Sequence, residues 1–458
     1  MHEPPTPSGA FHFEQRLKRL LDEVGREIVQ WTYNRCESSE VSELPARIRL
    51  GDEEYRRNRK TPRRIACLFG PIRLWRCVYQ AVVPGETGIF PLEHALGVVM
   101  HLATPALACV VGRLAAELTQ RQTLDVLGER HGVSWSVGNL RKVVAVLADR
   151  FAPLRQEAQL TQLLAWLRKA AKSRGKFGPT LAVGRDGAML PMRPFWEEAS
   201  TATVSVHDRR GKRLGTVYLG QMPEAGQGTL TLQLTQLLVA VFARWQGMLP
   251  RLVYITDAGA CPQDYFRSQL ARMTHPGSGE RLRWQWIVDY FHACEYVSTL
   301  AESLFGAGRD AAAWAAKMRH VLKQQTAGIN RVLGSARALR RRGLRGCRKD
   351  FDRAMNYLKK YRQHMNYATS RRRKLPIGSG VTEAACKIIF GYRFKQSGMR
   401  WTSEQGQHVL DLRVILKSRV WASVRDAWLA DHQPVKTVTP PFPHDKRMKK
   451  TRKLVLRT

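Results

Sequence analysis

The sequence predicts a mixed α/β fold, and three observations lead to this prediction. Between residues 180 and 222, three runs rich in apolar and β-branched residues are separated by short turn signals, which predicts three hairpin-linked strands. A long apolar stretch with helical spacing follows at 229–248. Two further strand patterns, RLVYITDAGA and RWQWIVDYFHA, then alternate with a predicted helix, which gives the order β-β-β-α-β-α-β.

The charge balance of the chain predicts a polyanionic partner. Its 458 residues include 75 Lys and Arg against 38 Asp and Glu, for a formal charge of +37, and such a surplus favours a polyanionic partner over a secreted basic protein or a ribosome-like passenger. No uninterrupted apolar run reaches the length of about 18 residues that a membrane span needs, and no signal-peptide pattern is evident. Eight scattered cysteines without a Cys-x-x-Cys pair predict a reducing cytoplasm and no zinc ribbon.

Helical segments and a hairpin precede the predicted strands. Apolar residues at helical spacing begin at Phe13, and two β-rich runs around Gly70 predict a hairpin. Within the helical segment 96–170, Gly132 ends one predicted helix and Ser134 can cap the next, which has the form of a helix-turn-helix. Two core helices joined by a short turn fit the spacing equally well. The charge favours DNA binding, with contacts from Asn139, Arg141 and Lys142.

Two aspartates fall at the ends of predicted strands. The strand order is typical of the ribonuclease-H-like fold, in which the first strand is central and the fourth lies beside it in parallel, so that their carboxyl ends meet where ligands bind. Asp186 ends the first run and Asp257 ends the fourth, each followed within two residues by Gly. Either aspartate alone could be a helix cap or a salt-bridge partner. Because buried acids need a compensating positive charge, the pair predicts a bound cation.

A third carboxylate is expected from the last helix of this core. Glu383 lies in the first turns of a helix that follows the flexible Gly378-Ser379-Gly380 segment. Oxygen ligands without neighbouring cysteines suit Mg²⁺ or Mn²⁺. Asp186, Asp257 and Glu383 would hold two such ions about 4 Å apart, astride a scissile phosphate. One ion would activate a water or a DNA 3′-hydroxyl, and the other would stabilise the leaving oxygen.

The segment around Glu383 resembles a known family. GSGVTEAACKIIFGYRFKQSGMRWTSEQGQHVLDLR, residues 378–413, closely resembles the block around the catalytic glutamate of the ISKra-type bacterial insertion-sequence transposases. IVDYFHACEYV resembles the Asp-x-x-His segment that this family shares with Mutator-like transposases, and RDGAM and YITDAGA resemble its two aspartate motifs. The resemblance extends over roughly residues 60–425. It implies a DDE transposase with the catalytic and metal-binding triad Asp186, Asp257 and Glu383.

The resemblance also implies partners for the chain. A homodimer or higher oligomer would bind the terminal inverted repeats of its element and target DNA, in a bacterial cytoplasm and on the nucleoid. A basic helical insertion would contact phosphates without reading sequence. Arg400 and Trp401 are expected to bind a phosphate or stack on a base, although a Trp401 that packs the helix against the sheet fits equally well. Further expected DNA contacts are Arg340, Arg341, Arg342, Arg371, Arg372 and Arg373.

Two features depart from the family's pattern. The Cys-x-x-Cys that members often carry is missing although Cys77 is present, so no structural zinc is expected. The second aspartate motif reads Asp-Ala-Gly rather than Asp-Gly-Ala, which moves the residue that is permitted a positive φ.

Asp289 and His292 form the Asp-x-x-His pair at the end of the fifth predicted strand. This pair could be a metal site, a catalytic pair or an ordinary strand end. Because the triad is complete without them, we expect both residues to lie beside it. There they could orient a ligand, contact the scissile phosphate or steer a flanking strand.

Three other functions suit a basic, DNA-binding chain. A tyrosine recombinase needs a nucleophilic tyrosine near its C-terminus, and no tyrosine follows Tyr392. A helix-turn-helix regulator needs no carboxylate triad and is the main non-enzyme alternative. A nuclease or resolvase on the same fold would cut DNA without joining the cleaved end to a target, so strand transfer distinguishes it from a transposase.

These predictions divide the chain into six segments. They are an N-terminal helix and β-hairpin region (1–95), a helical DNA-binding domain (96–170), the first part of the catalytic core (180–295), a basic helical insertion (296–374), the last part of the core with Glu383 (375–428) and a basic disordered tail (429–458).

Overall fold

The computed structural model describes residues 6–83, 87–431 and 434–438 of the chain. They form two compact units. The first contains the described residues of 1–111 and 428–458 together with 120–146, and the second contains 112–119 and 147–427. Helices and strands are present in both, which confirms the predicted α/β class. Within the described residues, no helix is both long and apolar enough to cross a lipid bilayer.

The first unit is organised around an antiparallel sheet. Its strands are β1 (Arg47–Leu50), β2 (Glu53–Cys67), β3 (Gly70–Ala81) and β9 (Lys436–Thr437), in the order β3-β2-β1-β9. β2 and β3 are the hairpin predicted around Gly70. Helix α1 (Pro7–Asn34), also predicted, packs along β3: Asn34 Nδ2 donates to the carbonyl of Arg73, and Gln30 Oε1 accepts from the Arg73 N–H.

The expectation of a disordered tail over 429–458 is wrong for the part that the structure describes. Residues 429 and 430 end helix α16 (Trp421–Ala430), and β9 pairs with β1 through Thr437 and Ile48. Val435 packs against the apolar cluster that contains Ile48 and Tyr55, and this contact explains why the segment adds to the sheet. Residues 439–458 lie outside the described part of the chain.

Both helices of the predicted helix-turn-helix are present, but the cap of the second helix is not the predicted residue. After α2 (Pro91–Ala95) and α3 (Pro105–Glu117), Gly132 separates α4 (Gln120–His131) from α5 (Val137–Ala171), with a φ of +60°. The cap of α5 is Ser136 and not Ser134, because Ser136 Oγ accepts from the Asn139 N–H at 3.2 Å. α5 is 35 residues long. The length of α5 therefore does not identify it as the DNA-recognition helix of a helix-turn-helix.

The second unit contains the predicted mixed sheet. Its strands are β4 (Thr180–Pro191), β5 (Trp196–His207), β6 (Arg213–Gln221), β7 (Arg251–Thr256) and β8 (Trp284–Val288), in the order β6-β5-β4-β7-β8. β4 and β6 pair antiparallel with β5, whereas β4 and β8 pair parallel with β7. The first strand is therefore central, and the fourth lies beside it in parallel.

Helices pack with this sheet into one continuous apolar core. Its members come from α5, from α6 (Gly228–Arg244), from α7 (Ala260–Ser268) and from the insertion. The insertion therefore belongs to the same core as the sheet. Its helices are α8 (Tyr290–Phe305), α9 (Arg309–Gln324), α10 (Gly328–Arg340), α11 (Arg348–Lys360) and α12 (Tyr367–Arg372). After it come α13 (Gly380–Ala385), a π-helical segment (Cys386–Gly391), α14 (Tyr392–Phe394) and α15 (Ser403–Lys417).

Candidate active site

Three aspartates lie where the parallel pairing of β4, β7 and β8 ends. Asp257 and Asp289 follow β7 and β8, but the prediction that Asp186 ends the first strand is wrong: β4 continues to Pro191 because its antiparallel pairing with β5 extends beyond its pairing with β7. The parallel pairing of β4 with β7 ends two residues before Asp186 on β4 and two residues before Asp257 on β7, so the two aspartates are in register. The β7–β8 ladder ends one position before Asp257 and before Asp289. The Asp289 N–H continues this ladder by donating to the carbonyl of Thr256 at 2.8 Å. The shared register therefore brings all three aspartates to one edge of the sheet.

Glu383 reaches the same edge because α13 packs directly on β4. Gly184 leaves room for this contact: a Cβ at Gly184 would lie 2.0 Å from Thr382 Oγ1. Thr382 Oγ1 also hydrogen-bonds Thr203 Oγ1 of β5 at 3.0 Å. Gly184 and Asp186 are two residues apart on one strand and so face the same side of the sheet. The contact at Gly184 thus brings Glu383 to the side that carries Asp186.

Ser379 links Glu383 to Asp289. Its Oγ lies 2.8 Å from Asp289 Oδ2 and 2.8 Å from Glu383 Oε1, and its N–H donates to Asp289 Oδ1 at 3.1 Å. Asp289 also caps α8 by accepting from the N–H groups of Phe291 and His292. Since Asp289 is buried and surrounded by these donors, it holds the Ser379 turn in place. Asp289 is therefore a positioning residue for the loop that carries Glu383.

Each oxygen of Asp186 has a donor. Oδ1 accepts from the Gly187 N–H at 2.8 Å, and Oδ2 accepts from the Cys386 thiol at 3.3 Å. Cys386 lies three residues after Glu383, where α13 continues into the π-helical segment. Burial raises the pKa of the Cys386 thiol, so it remains a neutral donor at physiological pH. The thiol fixes the orientation of Asp186 without adding charge.

The carboxylates at this edge repel one another. Burial raises the pKa of Asp186, and the nearby charges of Asp257 and Glu198 raise it further. Glu383 is exposed, but partial desolvation beside the sheet raises its pKa, and a hydrogen bond with Asp289 and the charges of Asp289 and Asp186 add to that rise. The fully ionised state of the site is therefore costly unless a cation neutralises it.

The turn after β7 fixes Asp257. Its Oδ1 accepts from the Gly259 N–H at 3.0 Å, and its carbonyl accepts from the Tyr357 hydroxyl at 2.7 Å. Tyr357 belongs to α11 of the insertion and stacks on Tyr296 with 3.9 Å between ring centroids. The insertion thus contributes to the site directly, by holding the backbone of Asp257.

The Asp-Ala-Gly order leaves strain in this turn. Ala258 takes a φ of +67°, whereas Gly259 takes −58°, so the left-handed position falls on the alanine. We expect Ala258→Gly to raise the free energy of unfolding by about 0.5–1 kcal/mol, because a Cβ in the left-handed region costs about 1–2 kcal/mol and the extra freedom of unfolded glycine offsets part of the gain. Urea denaturation measures this change.

The control for Ala258→Gly is a second alanine in ordinary helical geometry. Ala313 is exposed on α9, and Ala313→Gly should lower the free energy of unfolding by about 1 kcal/mol. Equal losses at Ala258 and Ala313 would contradict the strain at Ala258.

His292 contacts the tyrosine pair that holds Asp257. Its Nδ1 is 3.0 Å from Glu295 Oε2, and its ring contacts Tyr296 and Tyr357 edge to face. Among the described residues, no hydrogen bond joins the His292 ring to the predicted triad. The histidine therefore supports the tyrosine pair that holds Asp257.

Two buried arginines anchor the segment that follows Glu383. Arg413 of α15 donates to the carbonyls of Ile388 and Ile389 at 2.8 and 2.9 Å. Arg393 donates to a carbonyl near the end of α3 at 3.0 Å. Burial lowers the pKa of both guanidinium groups, that of Arg393 to about 10, so both remain charged at neutral pH. The Arg413 bonds hold the π-helical segment to α15, and the Arg393 bond holds the residues after it to α3.

A basic cleft of about 400 Å³ opens beside the Glu383 loop. Its lining contains four basic side chains and no acidic one. Phe291 is 59% exposed and forms part of the wall, close to Gly378, the residue before Ser379. The cleft therefore combines positive charge for phosphates with an aromatic surface on which a base can stack. The four basic residues are Arg210, Lys323, Arg371 and Lys374.

The donor chemistry of the edge fits a divalent cation. The hydrogen-bond partners of Asp186, Asp257, Asp289 and Glu383 are N–H, hydroxyl and thiol groups and, between Asp289 and Glu383, the other carboxyl group; none among the described residues is a cation. The expectation that no cysteine lies near these ligands is wrong, because the Cys386 thiol bonds Asp186. Since this thiol is neutral, the charged ligands are still carboxylate oxygens, which suit Mg²⁺ or Mn²⁺. In the part of the chain that is described, no three His, Cys, Asp or Glu side chains come close enough together to hold one ion. Asp186, Asp257 and Glu383 thus lie at one edge of the sheet, but their side chains do not surround one common ion position.

The predicted DNA-binding residues lie in several places. Arg141 and Lys142 are exposed at the start of α5, and Asn139 is half-buried there. Arg340 forms an ion pair with Asp352 at 2.9 Å. Arg371 lines the basic cleft. The others that are exposed are Arg341, Arg342, Arg372, Arg373 and Arg400.

Trp401 does not fit the expected stacking on a base. It is 7% exposed, its Nε1 donates to the carbonyl of Phe394 at 3.1 Å, and its ring packs 4.8 Å from that of Phe394. Its N–H donates to the carbonyl of Pro191, the last residue of β4, at 3.0 Å. Trp401 therefore packs this segment against the strand that carries Asp186.

Three residues of the site are missed by sequence reasoning. Ser379 and Cys386 flank Glu383 within the stretch that carries the family resemblance, and their positions there are a signal that could have identified them. Tyr357 gives no such signal, because it lies 100 residues from Asp257 in an ordinary helical pattern.

Comparisons with known proteins leave the family of the chain open. No protein-family model matches it, and no curated protein matches it either.

Proposed function

We propose that this chain is a metal-dependent DNA transposase with a ribonuclease-H-like core. The observation that carries the proposal is the row of carboxylates at one sheet edge, Asp186 and Asp257 with Glu383 beside them, in a chain whose net charge is +37. Clustered carboxylates without a protein cation favour bound divalent ions, and the basic surplus favours a polyanionic substrate. The reaction is phosphoryl transfer: cleavage of a DNA strand and its transfer to target DNA.

The residues of the chain would hold and orient the reactants. Asp186, Asp257 and Glu383 would hold two Mg²⁺ or Mn²⁺ ions, which when bound lower the pKa of a water or a DNA 3′-hydroxyl and stabilise the leaving oxygen. Ser379 orients Glu383, and the Cys386 thiol orients Asp186. The basic cleft would hold the phosphates of the strand beside the site, so that the scissile bond is presented in one geometry.

Strand transfer is the experiment that separates this function from its alternatives. The DNA that flanks the gene should contain inverted repeats close to both ends of it, and this DNA is the substrate. With Mg²⁺ or Mn²⁺, we expect the purified chain to cut at the repeats and to join the cleaved ends to a plasmid. Cleavage without joining would indicate a nuclease on the same fold, and binding without cleavage would indicate a regulator.

Metal binding is expected to be measurable without activity. Mg²⁺ or Mn²⁺ should raise the melting temperature of the wild-type chain, since a ligand at about 100 times its Kd adds about 2.7 kcal/mol of stability. The double variant Asp186→Asn, Asp257→Asn should lose this increase. Asp264→Asn, at an exposed position of α7, is the matched control and should keep it. An equal increase in all three proteins would exclude Asp186 and Asp257 as ligands.

The raised pKa of Asp186 predicts a dependence of stability on pH. Its ordinary value is 3.8, and burial raises the pKa in the folded chain. The folded state then binds the proton more tightly than the unfolded state, so the metal-free chain loses stability as the pH rises through this window. We expect Asp186→Asn to raise the melting temperature of the metal-free chain at neutral pH. The difference from wild type should shrink on acidification, and a difference independent of pH would contradict this assignment.

A further inference from the structure

Helix α1 presents a long apolar face to solvent. The helix has 28 residues and none of them is buried. Its other side contacts the hairpin, where Val29 and Tyr33 pack against the core and Gln30 and Asn34 bond to β3. The exposed side chains, which we call the α1 apolar face, are between 43% and 62% exposed; they are Phe13, Leu17, Leu20, Leu21, Val24, Ile28 and Trp31.

The spacing of this face is that of a helix that pairs with another helix. Leu17, Leu21, Val24, Ile28 and Trp31 are separated by four, three, four and three residues. This alternation is the heptad repeat that packs the side chains of one helix between those of a partner helix. An isolated surface helix has no reason to keep such a seam on the side that faces water, because exposed apolar patches of this size mark interaction surfaces.

The charges of α1 exclude nucleic acid as the occupant of this face. Between Pro7 and Asn34 the helix carries four basic and four acidic residues, so it is neutral in a chain of +37. Local pairs satisfy several of these charges: Lys18 lies 2.5 Å from Asp22, and Arg26 lies 2.5 Å from Glu23. A helix that binds anionic membranes would have a basic polar face, which α1 does not. The α1 apolar face therefore suits a partner helix that has an apolar side and no net charge.

A second copy of the same helix meets these requirements. If each of the seven side chains offers roughly 100 Å², a pair of copies would bury on the order of 1,400 Å², which is within the range of stable interfaces. A neutral helix with one apolar seam is complementary to itself, as a two-fold interface demands. We propose that the chain forms a dimer through the α1 apolar faces of two copies. The proposal is independent of the reaction at Glu383.

The mass of the chain in solution tests this proposal. The full chain is measured by light scattering after nuclease treatment and at high salt, because apolar pairing survives salt whereas bridging by nucleic acid does not. Wild type should have the mass of two chains. Leu21→Glu together with Ile28→Glu should give the mass of one chain, with an increase of about 100-fold or more in the dissociation constant, because each interface would bury unpaired carboxylates.

The control is a pair of substitutions with the same spacing on another helix. Leu232 and Val239 of α6 are 57% and 39% exposed and seven residues apart, like Leu21 and Ile28. Leu232→Glu together with Val239→Glu should leave the dimer intact. Circular dichroism and urea denaturation should show that both double variants remain folded, since all four positions are exposed.

Cross-linking locates the contact on α1. Val24 is the middle residue of the seam, so Val24→Cys should form a disulfide between two copies whether the helices run parallel or antiparallel. The three exposed cysteines, Cys36, Cys261 and Cys347, are first changed to serine. A monomeric wild type, a Leu21→Glu, Ile28→Glu variant that stays dimeric, or a monomer that binds uncharged lipid vesicles through α1 would each overturn the proposal.

Discussion

Asp257→Asn is expected to lower both DNA cleavage and strand transfer at least about 1,000-fold, or roughly 4 kcal/mol of transition-state stabilisation. The substitution removes one charge from the predicted metal site and changes little else. The asparagine Oδ1 can still accept from the Gly259 N–H, and the carbonyl of residue 257 keeps its bond from Tyr357. Cleavage of labelled DNA ends and their joining to a plasmid measure the two steps.

DNA binding separates a catalytic role of Asp257 from a structural one. The affinity of Asp257→Asn for DNA should stay within about twofold of wild type or increase slightly, because a negative charge near the phosphates is lost. Asp264→Asn makes the same chemical change seven residues away on the exposed side of α7, and it should keep both activities. Cleavage by Asp257→Asn at the wild-type rate would rule out the triad.

The sheet could be predicted because its signals are local. The runs that form β5 to β8 are rich in apolar and β-branched residues and end at turn residues. For β4 the apolar run stops before Asp186 and Gly187, but the strand continues to Pro191 because it pairs with β5. Asp186 and Asp257 come to one edge because their strands pair in parallel with the same register. The hairpin of β2 and β3 and the helix α1 follow from the same kind of local pattern.

The contacts within the site could not be predicted in the same way, since they depend on geometry between distant segments. The bond from Ser379 to Asp289 joins residues 90 positions apart through the path of one loop. Cys386 reaches Asp186 at the start of a π-helical segment, where the spacing of an α-helix no longer describes side-chain directions. The sequence fits a buried and an exposed Trp401 equally well, and the contact with Pro191 is what distinguishes the two roles.

Small errors in the predictions have specific causes. Ser134 and Ser136 are both good capping residues, and the choice between them depends on where the chain turns into α5. The strand β9 lies in a basic, proline-containing segment whose composition indicates disorder, and its pairing with β1 involves only two residues. Neither feature leaves a periodic signal in the sequence.

Arg413→Met is expected to cost about 3–5 kcal/mol of folding stability, the usual cost of removing one partner from a buried charged network. Arg413 is 1% exposed, and its guanidinium donates to the carbonyls of Ile388 and Ile389 and to Glu117 Oε2 at 3.0 Å. Methionine has a similar length but no donors, so these buried carbonyls would lose their partners. The midpoint of urea denaturation measures the loss. Because Ile388 and Ile389 follow Glu383 in the same helical segment, DNA cleavage should fall as well.

Lys417→Met is the matched control for Arg413→Met, because both basic residues pair with Glu117. Lys417 Nζ lies 2.5 Å from Glu117 Oε1, but its side chain is 27% exposed and makes a partly solvated pair. Its loss should cost less than about 1 kcal/mol. Arg413→Lys should recover only part of the stability, since one ammonium cannot replace the guanidinium's bonds to the Ile388 and Ile389 carbonyls and to Glu117 at once. Equal losses of folding stability in Arg413→Met and Lys417→Met would show that the backbone carbonyls after Glu383 do not depend on Arg413. The ion pair with Glu117 would then account for the whole effect of Arg413→Met.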